Sequence, residues 1–214
     1  MRKVKNSLIV IPMKDPEISK SRLRDSLAPE ARKRLAVQLF RNTVDVLIKS
    51  VQMSGEKFDI AVITNSTRIK KIAEEKQILI IQDYQEPVLS SSIAKASHWA
   101  AQNDYKSMCV IPADLADPKI KDIMSFISHP LPDEGLAITP SIDFGTNALH
   151  LSPVNLIKFH YGEKSFLKHI NAARNIGITP IILPYDSLRF DIDTCSDLKE
   201  LFVSNPGLVE QVLL

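Results

Sequence analysis

Short apolar segments alternate with longer amphipathic segments along the first half of the chain. The apolar segments are rich in β-branched residues and are bounded by turn-forming residues, which is typical of buried strands. We predict strands over residues 7–12, 58–64, 78–82 and 107–112. Helical spacing of apolar residues, as in Ala36, Phe40, Val44 and Leu47, predicts helices between them, over residues 29–50, 67–76 and about 91–102.

The alternation becomes less regular after residue 113. Strands are predicted over residues 136–139, 148–151 and 178–183, and helices over residues 164–175 and 196–204. Strands that alternate with helices favour an α/β fold, with a mostly parallel, Rossmann-like sheet and helices on both faces. The sequence contains no repeat, linker or low-complexity stretch, so we expect a single domain over residues 1–214.

In open α/β sheets, ligands bind at the carboxyl ends of the strands. The segments that follow residues 12, 64, 112 and 139 are therefore the first places to look for functional side chains. With only six glycines beside thirteen prolines, a glycine-rich phosphate loop is not expected, and side chains would have to hold phosphate groups.

Charge and cysteine content exclude several other classes of protein. A net charge of +2 does not favour nucleic-acid binding. Cys109 and Cys195 are few and far apart, which favours a reducing, cytoplasmic location over a disulfide framework. The apolar run at residues 7–13 is short and contains Pro12, so no membrane span is expected.

Three cations follow the first predicted strand: Lys14, Lys20 and Arg22. Lysine offers a point charge to phosphate oxygens, and arginine offers a bidentate fork. A solvated basic loop is the alternative interpretation, because most lysines and arginines are exposed.

Three aspartates are candidate metal ligands. Asp114 follows the strand at residues 107–112, and Asp191 and Asp193 lie two positions apart, so they share a face of an extended chain. Carboxylate oxygens suit hard divalent cations. Asp114 could instead form a turn, and Thr194 with Asp197 resembles a capping box at a helix start, which is compatible with metal binding nearby.

Two further segments combine glycine with small polar side chains. Gly145 is followed by Thr146 and Asn147, and Gly162 precedes Ser165 at the start of a predicted helix. Backbone N–H groups at such a start bind anions well. Ordinary capping or turn formation is the alternative for these residues. The histidines have no spacing that indicates a metal site, and we expect them to be surface or core residues: His98, His129, His150, His160 and His169.

The order of these motifs resembles that of the 2-phospho-L-lactate guanylyltransferase (CofC) family, which includes phosphoenolpyruvate guanylyltransferases. The resemblance covers residues from about 8 to 201. It is carried by the segment 12–23, Pro-Ala-Asp at 112–114, Gly-Thr-Asn-Ala-Leu at 145–149, the Gly162, Ser165 and His169 string, and Asp-Ile-Asp-Thr at 191–194.

The resemblance implies a nucleotide-diphospho-sugar-transferase-like fold and the transfer of GMP from GTP to 2-phospho-L-lactate, phosphoenolpyruvate or phosphoglycerate, in coenzyme F-420 biosynthesis. It implies that Mg²⁺ binds the three aspartates, and that Lys14, Lys20 and Arg22 face the GTP phosphates. The acceptor would contact Thr146, Gly162 and Ser165, with Asn147 in the same motif. We expect small-molecule substrates and leave open a homodimer.

One segment departs from the family pattern. Many relatives open the helix after the third strand with Gly-Leu-Asn or Asp-Leu-Asn, whereas residues 89–93 here read Leu-Ser-Ser-Ser-Ile. Two alternative functions therefore stay open: a non-catalytic nucleotide-binding protein, and a nucleotidyltransferase with another nucleotide or a sugar-phosphate acceptor.

Overall fold

A computed structural model describes residues 5–84 and 88–213. Within these residues the strands are β1 (Lys5–Pro12), β2 (Phe58–Thr64), β3 (Leu79–Gln82), β4 (Tyr105–Val110), β5 (Gly135–Pro140), β6 (Thr146–Ser152) and β7 (Ile181–Ile182). The helices are α1 (Pro29–Ser54), α2 (Thr67–Glu75), α3 (Leu89–Gln102), α4 (Ile120–Ile127), α5 (Ser165–Arg174), α6 (Cys195–Ser204) and α7 (Pro206–Leu213), with 3-10 turns at Ser21–Leu23 and Asp186–Leu188.

The described strands form a seven-stranded sheet in the order β3-β2-β1-β4-β6-β5-β7. Strand β1 pairs in parallel with β2 and β4, β2 with β3, and β5 with β7, whereas β6 is antiparallel to both β4 and β5. The predicted, mostly parallel sheet is confirmed. Because β6 runs against its neighbours, its amino end lies at the same edge as the carboxyl ends of the other strands.

Both faces of the sheet are covered by helices, as predicted. In β1, Ile9 and Ile11 pack into one core with helices α1, α2 and α4, and Leu8 and Val10 pack into another with α3 and α5. This alternation explains why the strand is apolar at consecutive positions. A third cluster joins α1 to α6 and α7.

Several element boundaries differ from the sequence prediction. The strand predicted over residues 178–183 is reduced to Ile181–Ile182, which lies between Pro180 and Pro184; proline cannot donate a hydrogen bond to the sheet. Helix α3 begins at Leu89, two residues before its predicted start. Helices α4 and α7 were not predicted, since each spans only eight residues, which is shorter than the window over which helical periodicity is read from a sequence.

None of the helices in residues 5–84 and 88–213 is both long enough and apolar enough to cross a membrane.

Candidate active site

A cleft of about 460 Å³ opens at the edge of the sheet where β1 and β4 end and β6 begins. The predicted site residues that line it are Lys14, Lys20, Arg22, Asp114, Thr146, Asn147, Asp191 and Asp193. Gly162 and Ser165 are not among the lining residues. The structure therefore brings together side chains from the first, middle and last parts of the chain.

A short antiparallel pairing places the last two aspartates beside Asp114. Leu115 forms an isolated β-bridge with Asp191, the Ile192 N–H donates to the Asp114 carbonyl at 3.2 Å, and the Ala116 N–H donates to the Phe190 carbonyl at 2.9 Å. These bonds lie between segments that are far apart in sequence. They fix the chain direction at residues 190–192, so both aspartates face the cleft.

The three carboxylates form one acidic cluster. Each of Asp114, Asp191 and Asp193 offers an oxygen, and these oxygens all lie within 4.8 Å of one another. Their side chains are partly buried; those of Asp114 and Asp193 are 31% and 42% exposed. Oxygen ligands at this spacing suit a hard divalent cation, and exposed acids elsewhere on the chain lack such convergence within the described residues.

Asp191 has an unusual environment within the cluster. Burial, followed by repulsion from Asp114, raises the pKa of its carboxyl group to about 6. The Asn147 side-chain amide donates to Asp191 Oδ1 at 3.2 Å and opposes this increase. Asn147, predicted to bind substrate, is thus buried and holds a carboxylate of the cluster.

Helix α6 fixes the backbone next to Asp193. Its start is the predicted capping box: Asp197 N–H donates to Thr194 Oγ1 at 3.3 Å, and Asp197 Oδ2 accepts from Thr194 N–H at 2.6 Å. The same carboxylate oxygen accepts from Asp193 N–H at 2.9 Å. The capping interpretation of this segment is confirmed, and it is compatible with a carboxylate of Asp193 that stays in the cleft.

Lys20 inserts its ammonium into the acidic cluster. The Nζ atom lies 2.5 Å from Asp114 Oδ2, 2.5 Å from the Ile192 carbonyl oxygen and 3.4 Å from Asp193 Oδ1. The side chain is only 5% exposed. Burial acts to lower the pKa of the ammonium, but attraction by Asp114 and Asp193 outweighs burial, so the pKa is raised. Lys20 is therefore a buried, charged partner of the carboxylates.

The other two cations of this loop are more accessible. Arg22 is 73% exposed and donates from NH1 to Asp193 Oδ2 at 3.0 Å, whereas Lys14 is exposed at the wall of the cleft. The sequence could not reveal that Lys20 and Arg22 pair with the aspartates, because their partners lie more than 90 residues further along the chain.

A hydroxyl cluster surrounds Thr146, which lines the cleft beside the acidic cluster. Thr146 Oγ1 accepts from Ser165 Oγ at 3.1 Å and lies 2.9 Å from His169 Nδ1. Ser165 is buried and is the first residue of α5, not its cap. Sequence analysis missed the contact of His169 with Thr146, although Ser165 and His169 are four residues apart and hence share a helix face.

Gly162 begins the turn that leads into α5. Its φ of +114° is one that residues with a side chain rarely adopt, yet a Cβ atom there would meet nothing within 4 Å. The glycine is thus required by backbone conformation and not by crowding within the protein. Its carbonyl accepts from Ser165 N–H at 3.1 Å, which closes the turn.

The serines that depart from the family pattern have structural partners. Ser90 Oγ accepts from Tyr161 N–H at 2.8 Å, and Ser92 Oγ donates to Asp83 Oδ2 at 2.7 Å. The adjoining Leu89 lines the cleft. This segment therefore connects α3 to the chain just before α5 and to the end of β3.

Comparison with known proteins gives a consistent result. Residues 7–211 match a family described as guanylyl transferases like CofC. The chain is 33% identical to 3-phospho-D-glycerate guanylyltransferase of Colwellia psychrerythraea, over 95% of each chain. It is 30% identical to 2-phospho-L-lactate guanylyltransferase of Methanocaldococcus vulcanius, covering 92% of this chain and 84% of that one. It is 29% identical to phosphoenolpyruvate guanylyltransferase of Sphaerobacter thermophilus, covering 91% of this chain and 92% of that one.

Solved structures show the same fold at much lower identity. A protein of Desulfovibrio desulfuricans assigned as a nucleotide-diphospho-sugar transferase superposes with a TM-score of 0.66 at 16% identity, covering 96% of this chain and 97% of that one. A second structure is glucosyl-3-phosphoglycerate synthase of Mycobacterium tuberculosis, in a complex with Mn²⁺ and UDP. It superposes with a TM-score of 0.58 at 11% identity, covering 98% of this chain and 81% of that one. The expected nucleotide-diphospho-sugar-transferase-like fold is confirmed.

Replacing Lys20 tests its role as partner of the acidic cluster. We expect Lys20→Met to lower the free energy of unfolding without divalent cations by about 2 kcal/mol, because partly buried carboxylates lose their counter-charge. Mn²⁺ should then raise the melting temperature more in the variant than in the unsubstituted protein. Thermal unfolding with and without Mn²⁺ measures both effects. Lys14→Met is the matched control and should change stability by less than about 0.5 kcal/mol. Unchanged stability of Lys20→Met would contradict the assigned role.

The raised pKa of Asp191 predicts a pH dependence of metal binding. Because the carboxyl group takes up a proton below about pH 6, Mn²⁺ affinity should fall as pH decreases through that value, by up to about tenfold per unit. Asn147→Ala removes the donor that opposes the increase, so the fall should begin at higher pH. Calorimetric titration at a series of pH values measures both curves. An affinity that stays constant from about pH 7.5 to about pH 5 would show that Asp191 does not bind the ion.

Proposed function

The chain belongs to the family of CofC-like guanylyl transferases, and we propose that it transfers GMP from GTP to a phosphorylated carboxylic acid and releases pyrophosphate. The observation that carries this proposal is the convergence of three carboxylates and three cations at one cleft. Phosphoryl chemistry needs charge neutralisation and positioning more than covalent catalysis, and this set of side chains supplies both.

We propose that the cluster of Asp114, Asp191 and Asp193 holds Mg²⁺. The fit rests on chemistry: three carboxylate groups with oxygens within 4.8 Å of one another are the ligands that hard cations prefer. When bound, the ion would neutralise charge on the triphosphate and polarise the reacting phosphate. Lys20 already places one positive charge beside Asp114 and Asp193, which supports the proposal that a cation is favourable at this position.

The proposed reaction is a displacement at the α-phosphorus of GTP. A phosphate oxygen of the acceptor forms a bond to that phosphorus, the bond from the phosphorus to the β-phosphate oxygen breaks, and pyrophosphate leaves with the bonding electrons. A phosphate oxygen is already ionised at neutral pH, so no residue has to remove a proton. This agrees with a cleft whose lining residues include no histidine among the described residues.

The three cations have different tasks in this proposal. Lys14 and Arg22 are exposed enough to reach the β- and γ-phosphates of GTP. Lys20 is buried against Asp114, so it would contact phosphate only by exchanging a carboxylate partner for a phosphate oxygen. These charges would stabilise the leaving pyrophosphate, whose negative charge increases as the bond breaks.

The acceptor is proposed to bind at the wall that Thr146 lines, with Asn147 and Ser165 supporting that wall and the turn at Gly162 next to Ser165. The acids in the names of the three relatives, 3-phospho-D-glycerate, 2-phospho-L-lactate and phosphoenolpyruvate, each combine a phosphate with a carboxylate. Such a ligand needs hydrogen-bond donors without added negative charge, which a threonine hydroxyl supplies. The relative at 33% identity makes 3-phospho-D-glycerate the first acceptor to test.

The wider setting is also proposed. The family resemblance and these relatives are consistent with a step in coenzyme F-420 biosynthesis, acting on small molecules in the cytoplasm. We propose that residues 1–214 act as one domain. We also propose that this domain assembles as a homodimer, which analytical ultracentrifugation tests.

The alternative is a nucleotide-binding protein without turnover. This alternative is favoured by Ser90 and Ser92. They form hydrogen bonds within the protein, at positions where many relatives have a different motif. The convergence of the three carboxylates favours a catalytic function, because binding a nucleotide does not by itself need three converging carboxylates.

Pyrophosphate formation tests the proposal. Purified protein with GTP and Mg²⁺ should release pyrophosphate with at least one of the three acids, and much less with ATP or CTP as donor. Asp193→Asn should reduce turnover on the order of 100-fold or more while shifting the melting temperature little, because it removes a proposed metal ligand. Asp186→Asn, on a side chain that is 98% exposed, is the matched control and should leave turnover unchanged.

Two results would contradict the proposal. GTP binding without pyrophosphate release from any acid would favour the non-catalytic alternative. Equal activity of Asp193→Asn and Asp186→Asn would show that the acidic cluster has no role in the reaction.

A further inference from the structure

A buried histidine lies directly behind the hydroxyl wall of the cleft. His169, on α5, has no solvent exposure, and both of its ring nitrogens have a partner. The His160 backbone N–H donates to Nε2 at 2.9 Å, and Nδ1 lies 2.9 Å from Thr146 Oγ1. The Tyr161 and His169 rings pack in a T-shaped arrangement, 5.0 Å apart between centroids, which restricts the plane of the imidazole.

The backbone partner determines which ring nitrogen carries the proton. A peptide N–H can only donate, so Nε2 of His169 must present its lone pair to His160. Burial, with smaller effects of His160 and Lys168, lowers the pKa of His169 to about 4, so the ring is neutral at pH 7. A neutral imidazole with a free Nε2 lone pair carries its hydrogen on Nδ1. That N–H therefore donates to Thr146.

The consequence is a fixed polarity for the Thr146 hydroxyl. A hydroxyl has two acceptor lone pairs and one hydrogen. Thr146 Oγ1 accepts from His169 Nδ1 and from Ser165 Oγ, which uses both lone pairs. Its own hydrogen has to point in the remaining direction, and Thr146 lines the cleft. The hydroxyl is thus prepared as a donor to a ligand oxygen.

We propose that His169 is a positioning residue that fixes the Thr146 hydroxyl as a hydrogen-bond donor to an anionic oxygen of the phosphorylated acceptor. The proposal rests on the proposed function, because it assigns this wall to the acceptor and not to GTP. It also changes the expected role of Ser165: its hydroxyl hydrogen is used by Thr146, so Ser165 acts through Thr146 and does not itself donate to the acceptor.

Pre-orientation is the chemical advantage of this arrangement. A freely rotating hydroxyl must be ordered when the ligand binds, whereas one whose lone pairs are both occupied offers its hydrogen at once. The wall then favours a ligand atom that can only accept, such as a phosphate or carboxylate oxygen, over a group that would itself have to donate.

The tautomer of His169 can be observed without mutation or substrate. We expect a long-range ¹H–¹⁵N spectrum of the protein labelled with ¹⁵N-histidine to show a neutral ring protonated at Nδ1 at pH 7. His169→Gln identifies the signal by its disappearance. A ring protonated at Nε2, or at both nitrogens, would overturn the proposal. This readout does not depend on turnover, so it remains decisive if no acceptor yields pyrophosphate and the proposed function fails.

A double-mutant cycle tests whether His169 acts through Thr146. Thr146→Val should lower kcat/KM for the acceptor by roughly 10- to 100-fold, since it removes a hydrogen bond to a charged group, and leave the KM for GTP within about twofold. His169→Gln, which can accept from His160 but cannot reach Thr146, should lower the same parameter by roughly 5- to 10-fold. In the Thr146→Val background it should have no further effect.

His169→Asn is the matched rescue variant, because its amide nitrogen can replace Nδ1 as donor to Thr146. It should retain acceptor kcat/KM within about threefold of the unsubstituted protein. A merely structural role gives different results. The losses in acceptor kcat/KM caused by His169→Gln and Thr146→Val would multiply in the double variant, or His169→Asn would lose as much acceptor kcat/KM as His169→Gln. Alternatively, the KM for GTP would rise together with the KM for the acceptor. Any of these results would overturn the proposal.

Discussion

Three carboxylates that each place an oxygen within 4.8 Å of the others repel one another unless a cation lies among them. Lys20 supplies that charge, with its ammonium 2.5 Å from Asp114. The cluster exists because the bridge between Leu115 and Asp191 joins the segment before α6 to the edge of the sheet. The rest of the cleft depends on this attachment, since the loop at residues 14–22 is held through Lys20 and Arg22 by the same carboxylates.

The direction of one strand explains the division of the cleft into two walls. Because β6 is antiparallel to β4, its first residues, Thr146 and Asn147, reach the edge where β1 and β4 end. Asn147 turns towards the acidic cluster and Thr146 towards α5. A charged wall suited to a triphosphate and a hydroxyl wall suited to a second anion therefore lie side by side, which is the arrangement that joining two phosphates requires.

Local patterns in the sequence were sufficient to predict much of the fold and part of the candidate site. The strand predicted over residues 58–64 has those bounds in the structure, because its apolar run ends at clear turn residues. The cation partners of Asp114 and Asp193 were not predictable, since their contacts join distant segments. The link from His169 to Thr146 depends on how α5 packs against β6. Only the four-residue spacing from Ser165 pointed to it, and a spacing does not identify what lies opposite.

The claim that the acidic cluster is a divalent-cation site is tested most directly by crystallography with Mn²⁺ and a non-hydrolysable GTP analogue. Anomalous scattering locates the ion independently of any assumption about its ligands. We predict an Mn²⁺ ion bonded to carboxylate oxygens of Asp114, Asp191 and Asp193, with the Lys20 ammonium moved from Asp114 towards the phosphates. An ion bound elsewhere, or no ion while Lys20 still pairs with Asp114, would contradict the account.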